Sequence, residues 1–167
     1  MSLIDLVPFF DDNELEPGFN TEQIDQFFET FKTDFISNPL MVNGKKIKFI
    51  GKVSKIKEYS KYPETFIHII TRSLTNERIY DSRRANRIHW IKPILLSHPC
   101  NDVKFYRWKD DDRICKDHYW FFAKDFMVVL KDVSQDLQIV TAFCVDKSQK
   151  ATFYERFRDF QQGNGNC

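Results

Sequence analysis

The sequence predicts an α+β fold in which N-terminal helices pack on an antiparallel sheet of four or more strands and a helix closes the chain. Three observations lead there. Phe19, Ile24, Phe27, Phe28, Phe31 and Phe35 recur mostly at spacings of three to five, the repeat that turns one face of a helix toward a core. Between Val103 and Val145 several segments rich in branched and aromatic residues follow one another, separated by short clusters of Asp, Lys, Ser and Gln, and connections that short join antiparallel neighbours. Helical spacing then returns from Lys150 to Phe160.

Taken in chain order, the first helix is expected over about residues 21–37. Thr21 or Asn20 can N-cap it, because either side-chain oxygen accepts from a first-turn amide. The Phe stripe is expected in the core. Asn43-Gly44 is the dipeptide of a two-residue hairpin turn, where both residues need positive φ. Lys46 to Ile56 alternates apolar residues with lysines, as a half-buried strand does. After Tyr62-Pro63, the branched residues of Thr65 to Thr71 read as a second strand. Arg83 to Trp90 reads as a helix with Arg83, Arg87 and Trp90 on one face and Ile88, Ile91 and Leu95 on another. Pro93 either ends that helix or opens a new one. The strand candidates of the second half are Val103 to Trp108, His118 to Ala123, Phe126 to Lys131 and Leu137 to Val145. Residues 161–167 are expected to form a mobile tail.

With 167 residues, 42% of them hydrophobic and 17 of them Phe, the chain can bury one substantial core. The net charge of +1 conceals a strong asymmetry. Residues 1–44 carry nine acids and one lysine, while residues 45–98 carry thirteen Lys and Arg against four acids, so the two stretches stand at −8 and +9. Residues 99–167 balance at eleven of each sign. That divides the chain into an acidic helical segment at 1–44, a basic body over 45–160 and the tail, all within one compact domain. Such a footprint suits a polyanion site beside an acidic arm.

The cysteines, Cys100, Cys115, Cys144 and Cys167, form no CxxC pair. The N-terminus lacks a basic leader, and no apolar stretch approaches spanning length. A reduced, cytoplasmic protein with no membrane partner is expected. His98-Pro-Cys100 and Cys115-Lys-Asp-His118 supply zinc-type ligands in two pairs separated by fourteen residues. The second pair has the common two-residue gap, whereas the first has only one. Neither a metal nor a cofactor is expected on balance.

The chemistry-bearing residues concentrate in Glu64-Thr-Phe-Ile-His-Ile-Ile-Thr-Arg72 and the basic box Arg83-Arg-Ala-Asn-Arg-Ile-His-Trp90. His68 and Arg72 lie four apart, a spacing that keeps two side chains on one face of either a helix or a strand. A neutral imidazole can take or give the proton of a ribose hydroxyl, while a guanidinium offsets charge growing on the attacked phosphate. His68 is therefore the candidate acid or base, with Arg72 and Arg87 as phosphate clamps. Arg83 and Arg84 are candidates for backbone contact. Trp90, Trp108 and Tyr119 are candidates for stacking on an unpaired base. A second acid or base is not evident; His89 and His118 are available, but nothing in the sequence places either beside His68.

The strings Glu64 to Arg72, Arg84-Ala-Asn-Arg-Ile-His-Trp-Ile-Lys-Pro-Ile94, Phe126-Met-Val-Val-Leu130 and Leu137-Gln-Ile-Val-Thr-Ala-Phe143 resemble the barnase, EndoU, colicin and RelE-like (BECR) group of small ribonuclease folds. They are more similar still to its phage- and prophage-encoded branch. The resemblance covers about residues 60–160. It implies a helical part packed on a four-stranded antiparallel sheet, and metal-independent RNA cleavage by attack of the 2′-hydroxyl on the adjacent phosphate. It also implies a site drawn from His68, Arg72, Arg84, Arg87 and Thr141; the hydroxyl of Thr141 is suited to donate to a nonbridging oxygen. The partners that follow are RNA and an inhibitor or antitoxin protein, since a toxin or phage-related effector must be restrained. The acidic segment Asp11 to Asp34 could itself cover the basic surface as a nucleic-acid mimic, or recruit a regulatory partner. The alternative is a non-catalytic nucleic-acid-binding or phage accessory protein on a nuclease-like fold.

Overall fold

A computed structural model describes residues 2–18 and 20–167; Phe19, placed above at the head of the first Phe stripe, lies outside them. Helix α1, Thr21–Phe31, continues without interruption into one wider turn over Lys32–Ile36. Asn20 supplies the cap, its side chain accepting from the Gln23 amide at 3.1 Å. Strands β1 (Met41–Val42) and β2 (Lys45–Lys48) form the expected hairpin, with Asn43 and Gly44 at φ +53° and +75°. Helix α2, Glu64–Ile70, leads directly into a second hairpin, β3 (Thr71–Leu74) and β4 (Glu77–Tyr80). Two short helices follow, α3 (Ser82–Ala85) and α4 (Ile91–Ser97), and then the meander β5 (Val103–Lys109), β6 (Cys115–Phe121), β7 (Phe126–Val133) and β8 (Asp136–Cys144). Helix α5 spans Lys147–Gln161.

The main sheet has the order β1-β2-β8-β7-β6-β5. Its meander is antiparallel throughout, whereas β2 joins β8 in parallel through Ile47 opposite Leu137. Strand β7 is central, which explains its unbroken apolar run: Phe126, Val128 and Leu130 face the helices α1, α2 and α4, while Met127 and Val129 face α5. On the helical side Ile24, Phe27, Phe31, Phe66, Ile69 and Ile94 join that core, so the acidic N-terminal segment shares it with the body. On the other side Tyr106, Trp120 and Phe157 close a smaller cluster under α5. This is the α+β arrangement read from the sequence, enlarged by two strands at one edge.

Three elements differ from expectation, each for a physical reason. Thr65 to Ile70 is helical rather than a strand, and only Thr71 is extended, as the first residue of β3. Thr65, Phe66, Ile67, Ile69 and Ile70 are all buried by neighbours on several sides, and burial of that extent overrides β propensity. The strand expected over Lys46 to Ile56 stops at Lys48, because the chain then turns to α2: the Ile50 amide donates to the Thr65 hydroxyl at 2.7 Å and the Glu64 amide to the Lys52 carbonyl at 2.9 Å. The single helix expected over Arg83 to Trp90 breaks at Asn86 and Arg87, whose side chains are bound to the N-terminal segment. Pro93 falls in the first turn of α4, where its missing amide is harmless.

The tail is tied down rather than free. The Asn166 side chain bonds both the amide and the carbonyl of Lys109 at 2.8 Å, and a disulfide pairs Cys115 with Cys167. The expectation of reduced thiols is thereby corrected for those two; Cys100 and Cys144 are free. Among the described residues no helix is long and apolar enough to cross a membrane.

Candidate functional site

Helix α2 has only seven residues, too short to persist without outside support, and its C-terminal carbonyls would otherwise be orphaned. Side chains from four other elements, β3, β4, α3 and β8, meet them or the carbonyl of Thr71 just beyond. The Thr71 hydroxyl turns back to the Ile67 carbonyl. Arg78 of β4 donates Nη2 to the His68 carbonyl at 3.3 Å and to the Thr71 carbonyl at 3.1 Å, and Nε to the Thr71 hydroxyl at 3.0 Å. Arg84 of α3 adds a 2.6 Å bond to the Thr71 carbonyl. Thr141 donates to the His68 carbonyl at 3.2 Å from a point where β8 carries an extra residue: Val129 faces Thr141 but Leu130 faces Ile139. A bulge of this kind re-aims a strand side chain. Two guanidiniums at a helix C-terminus also suit its negative dipole end.

The result is a fixed platform for His68. Its half-buried side chain lines a cleft of about 210 Å³ shared with Glu64, Lys52, Ser54, Lys55 and Arg78. Glu64 lies one helical turn before His68, with its carboxylate 3.4 Å from the Lys52 ammonium. Burial pushes the His68 imidazole below its ordinary value; Arg78 pushes it further, and Glu64 only partly opposes them. At neutral pH the ring is therefore an uncharged proton acceptor surrounded by cations. The cleft is smaller than the ~300–1,000 Å³ of small-molecule sites, so it suits a local group of a polymer better than an enclosed metabolite.

The residues singled out from sequence are dispersed by the structure. Arg72 is exposed on β3, beyond the end of α2; the same-face rule for residues four apart fails here because the chain changes from helix to strand between them. Arg84 and Thr141 act on backbone, holding α2, as described. Arg87 is nearly buried, bound to Asp12 and set against the Trp90 ring with its guanidinium carbon 5.3 Å from the ring centroid. Arg83 is exposed one turn earlier. Trp90 is buried with its indole N–H on the Val7 carbonyl, and Tyr119 is buried between His98 and Phe105. Neither ring is placed to stack on a base, so both are corrected to core residues. Trp108 packs in the cluster under α5.

The remaining histidines also lie elsewhere. His89 bonds the Val7 carbonyl at 2.7 Å, and His118 stacks on Tyr106. The zinc-type quartet does not converge. Cys115 is in the disulfide, His98 packs on Tyr119 on the helical side of the sheet, and His118 lies in the cluster under α5 on the other side. Among the described residues no group of three metal-type ligands forms.

Sequence reasoning missed Glu64, Lys52, Lys55 and Arg78. Glu64 and His68 are four apart, and reading the segment as a helix would have paired them. Arg78 had no such signal, since only the β3–β4 hairpin returns it to α2. Compared with known protein families, with curated proteins and with solved structures, the chain finds no match in any of the three.

Proposed function

We propose that this protein is a metal-independent endoribonuclease whose reacting group is the His68 imidazole. One observation supports this most: a half-buried imidazole, kept neutral by burial and Arg78, on a short helix pinned by three side chains, at the wall of a cleft with Lys52 and Lys55. A neutral imidazole is the form needed to accept a proton.

In the proposed reaction the 2′-hydroxyl of a ribose gives its proton to His68 as its oxygen forms a bond to the adjacent phosphorus. The bond to the 5′-oxygen of the next nucleotide breaks, and that oxygen leaves with a proton from water or from the Lys52 ammonium. The products are a 2′,3′-cyclic phosphate and a free 5′-hydroxyl. Lys52, Lys55 and Arg78 offset the charge on the phosphate oxygens, acting where it grows. Glu64 holds Lys52 in the cleft and favours the protonated imidazole once it forms. DNA lacks the 2′-hydroxyl and would bind without being cut.

The test is steady-state cleavage of a fluorogenic RNA oligonucleotide. Proton transfer by a positioned side chain contributes ~10²–10⁴-fold, so His68→Ala should lower kcat by about that factor with little change in KM. Lys55→Ala should act mainly on KM. Cleavage by His68→Ala at the wild-type rate would remove His68 from the reaction. Salt-sensitive RNA binding with no turnover by the wild type would favour a binding module instead.

A further inference from the structure

The first seventeen described residues form a strap over the basic box. The Phe9 amide donates to the Asn86 carbonyl at 2.9 Å, the Asn86 side chain bonds both the amide and the carbonyl of Phe10, and Trp90 and His89 both reach the Val7 carbonyl. Leu3 and Leu6 are buried in the core upstream, and α1 anchors the chain downstream. Between those anchors Asp11 to Glu14 lie exposed.

From that exposed stretch one carboxylate reaches inward. Asp12 Oδ2 lies 2.8 Å from Arg87 Nη2 and Oδ1 lies 3.2 Å from Nη1, a two-point contact, with the Asn86 amide 3.1 Å from Oδ1. A guanidinium presented edge-on in this way fits a phosphate as well as a carboxylate. Arg87 is otherwise set: Nη1 also bonds the Arg83 carbonyl at 2.8 Å and Trp90 supports its face. Arg87 and Arg83 both line a pocket of about 600 Å³ between the strap and the start of α5. Two acids also line it, Asp125, held by Lys150 at 3.0 Å, and Asp146 just before α5. Two further cations line it, Lys147 and Lys124, the latter with its ammonium on the Ile4 and Leu6 carbonyls, so the pocket as a whole carries a positive excess, to which Arg83 and Arg87 contribute the guanidiniums.

We propose that Arg87 and Arg83 form a phosphate-binding subsite for a nucleic-acid backbone, separate from the His68 cleft, and that Asp12 occupies the phosphate's place in the free protein. The subsite rests on the reading that this chain binds RNA. The incoming phosphate displaces Asp12, which swings out with the exposed turn while the buried leucines keep the strap seated. Asp12 is thereby an internal competitor that lowers affinity for RNA and discriminates against short or weakly charged ligands.

The test uses the full chain and a 2′-O-methyl oligouridylate, which cannot be cleaved, read by fluorescence anisotropy over a range of salt. Asp12→Asn should tighten binding ~5-fold and steepen the slope of log affinity against log salt by about 0.7, the value for one added contact to single-stranded RNA. Glu14→Gln removes the same charge from the same exposed turn without touching Arg87, and should change affinity less than about 2-fold. Adding Arg83→Ala to Asp12→Asn should cancel the gain. Equal gains from Asp12→Asn and Glu14→Gln, or none from either, would overturn the subsite while leaving RNA binding standing. No binding by any folded variant would remove the RNA reading and the subsite with it. Should Asp12→Asn fail to fold, the side-chain Nε–H resonance of Arg87 in the wild type is followed on adding the oligonucleotide. A shift supports displacement, and an unmoved resonance at saturation refutes it.

Discussion

His118 makes the protein acid-sensitive in a way that one substitution isolates. Its ring is 4% exposed and lies flat on Tyr106, with centroids 4.5 Å apart and planes 5° from parallel. Burial pushes the imidazole down to about 4, against the smaller opposing pull of Asp110 and the Lys116 carbonyl. In the unfolded chain the same ring takes its proton near pH ~6.5. Between those two values the unfolded state binds more protons than the folded one, so stability rises with pH through the window and is lost on acidification. Going from pH 7.5 to 5 the loss from this one group is about 2 kcal/mol. His118→Phe keeps a ring on Tyr106 and removes the titration. The buried carboxyl of Asp117, raised mainly by burial, works with the opposite sign, because the folded state holds its proton more tightly. It is present in both proteins, as are the depressed imidazoles of His68, His89 and His98, and all cancel in the difference. Urea denaturation of both proteins at pH 7.5, 6 and 5 reads the effect. The wild type should lose about 2 kcal/mol relative to His118→Phe across that range, about 1 M in midpoint at an ordinary slope. Two pH profiles parallel to within about 0.5 kcal/mol would refute the assignment of a buried neutral ring.

Other substitutions test the packing that places the sites. Asn86→Ala removes a fully buried side chain that partners the half-buried Phe10 amide and carbonyl and should cost about 1–3 kcal/mol in chemical denaturation; a cost below about 0.5 kcal/mol would mean the strap is not held there. Phe31→Ala opens a cavity where Phe28, Phe35, Phe49 and Phe66 meet, and calorimetry should show a loss of about 3–5 kcal/mol. Cys167→Ser removes a crosslink between positions 52 apart in sequence, whose chain-entropy limit is about 4 kcal/mol. An unchanged denaturation midpoint under oxidising conditions would show that the crosslink adds nothing to stability.

Much of this architecture could be read from the chain because its signals are local. The Asn20 cap, the Asn43-Gly44 turn and the strands β5 to β8 each depend on residues close in sequence, and α5 follows from spacing alone. What was misread depends on distant partners. Branched residues from Thr65 to Ile70 favour a strand in isolation and become a helix because α1, β8 and the loop before Pro63 enclose them. The parallel pairing of β2 with β8 joins residues ninety apart, Ile47 with Leu137, and short-range periodicity carries no sign of it. At the candidate site, His68 was visible as a titratable group in an apolar run, but its environment was not. Arg84 and Thr141 were singled out for phosphate and instead hold the backbone of α2, while Arg78, singled out for nothing, lines the cleft. The charge division of the chain was legible, yet the sequence does not pair particular charges. Only the fold brings Asp12 to Arg87.

Around α2 the side chains divide into those that hold its backbone and those that face the cleft. Arg78, Arg84 and Thr141 act on main-chain carbonyls and hold His68 in place, while Lys52, Lys55 and the edge of Arg78 present charge to whatever enters the cleft. In the reaction proposed above, a site assembled this way would carry out base-catalysed transfer within RNA through His68. The most direct measurement incubates the purified protein with end-labelled RNA in excess chelator, beside His68→Ala, and identifies the new 3′ ends. Fragments ending in 2′,3′-cyclic phosphate from the wild type alone are the predicted result; intact RNA in both samples, with the wild type shown to be folded, would contradict it.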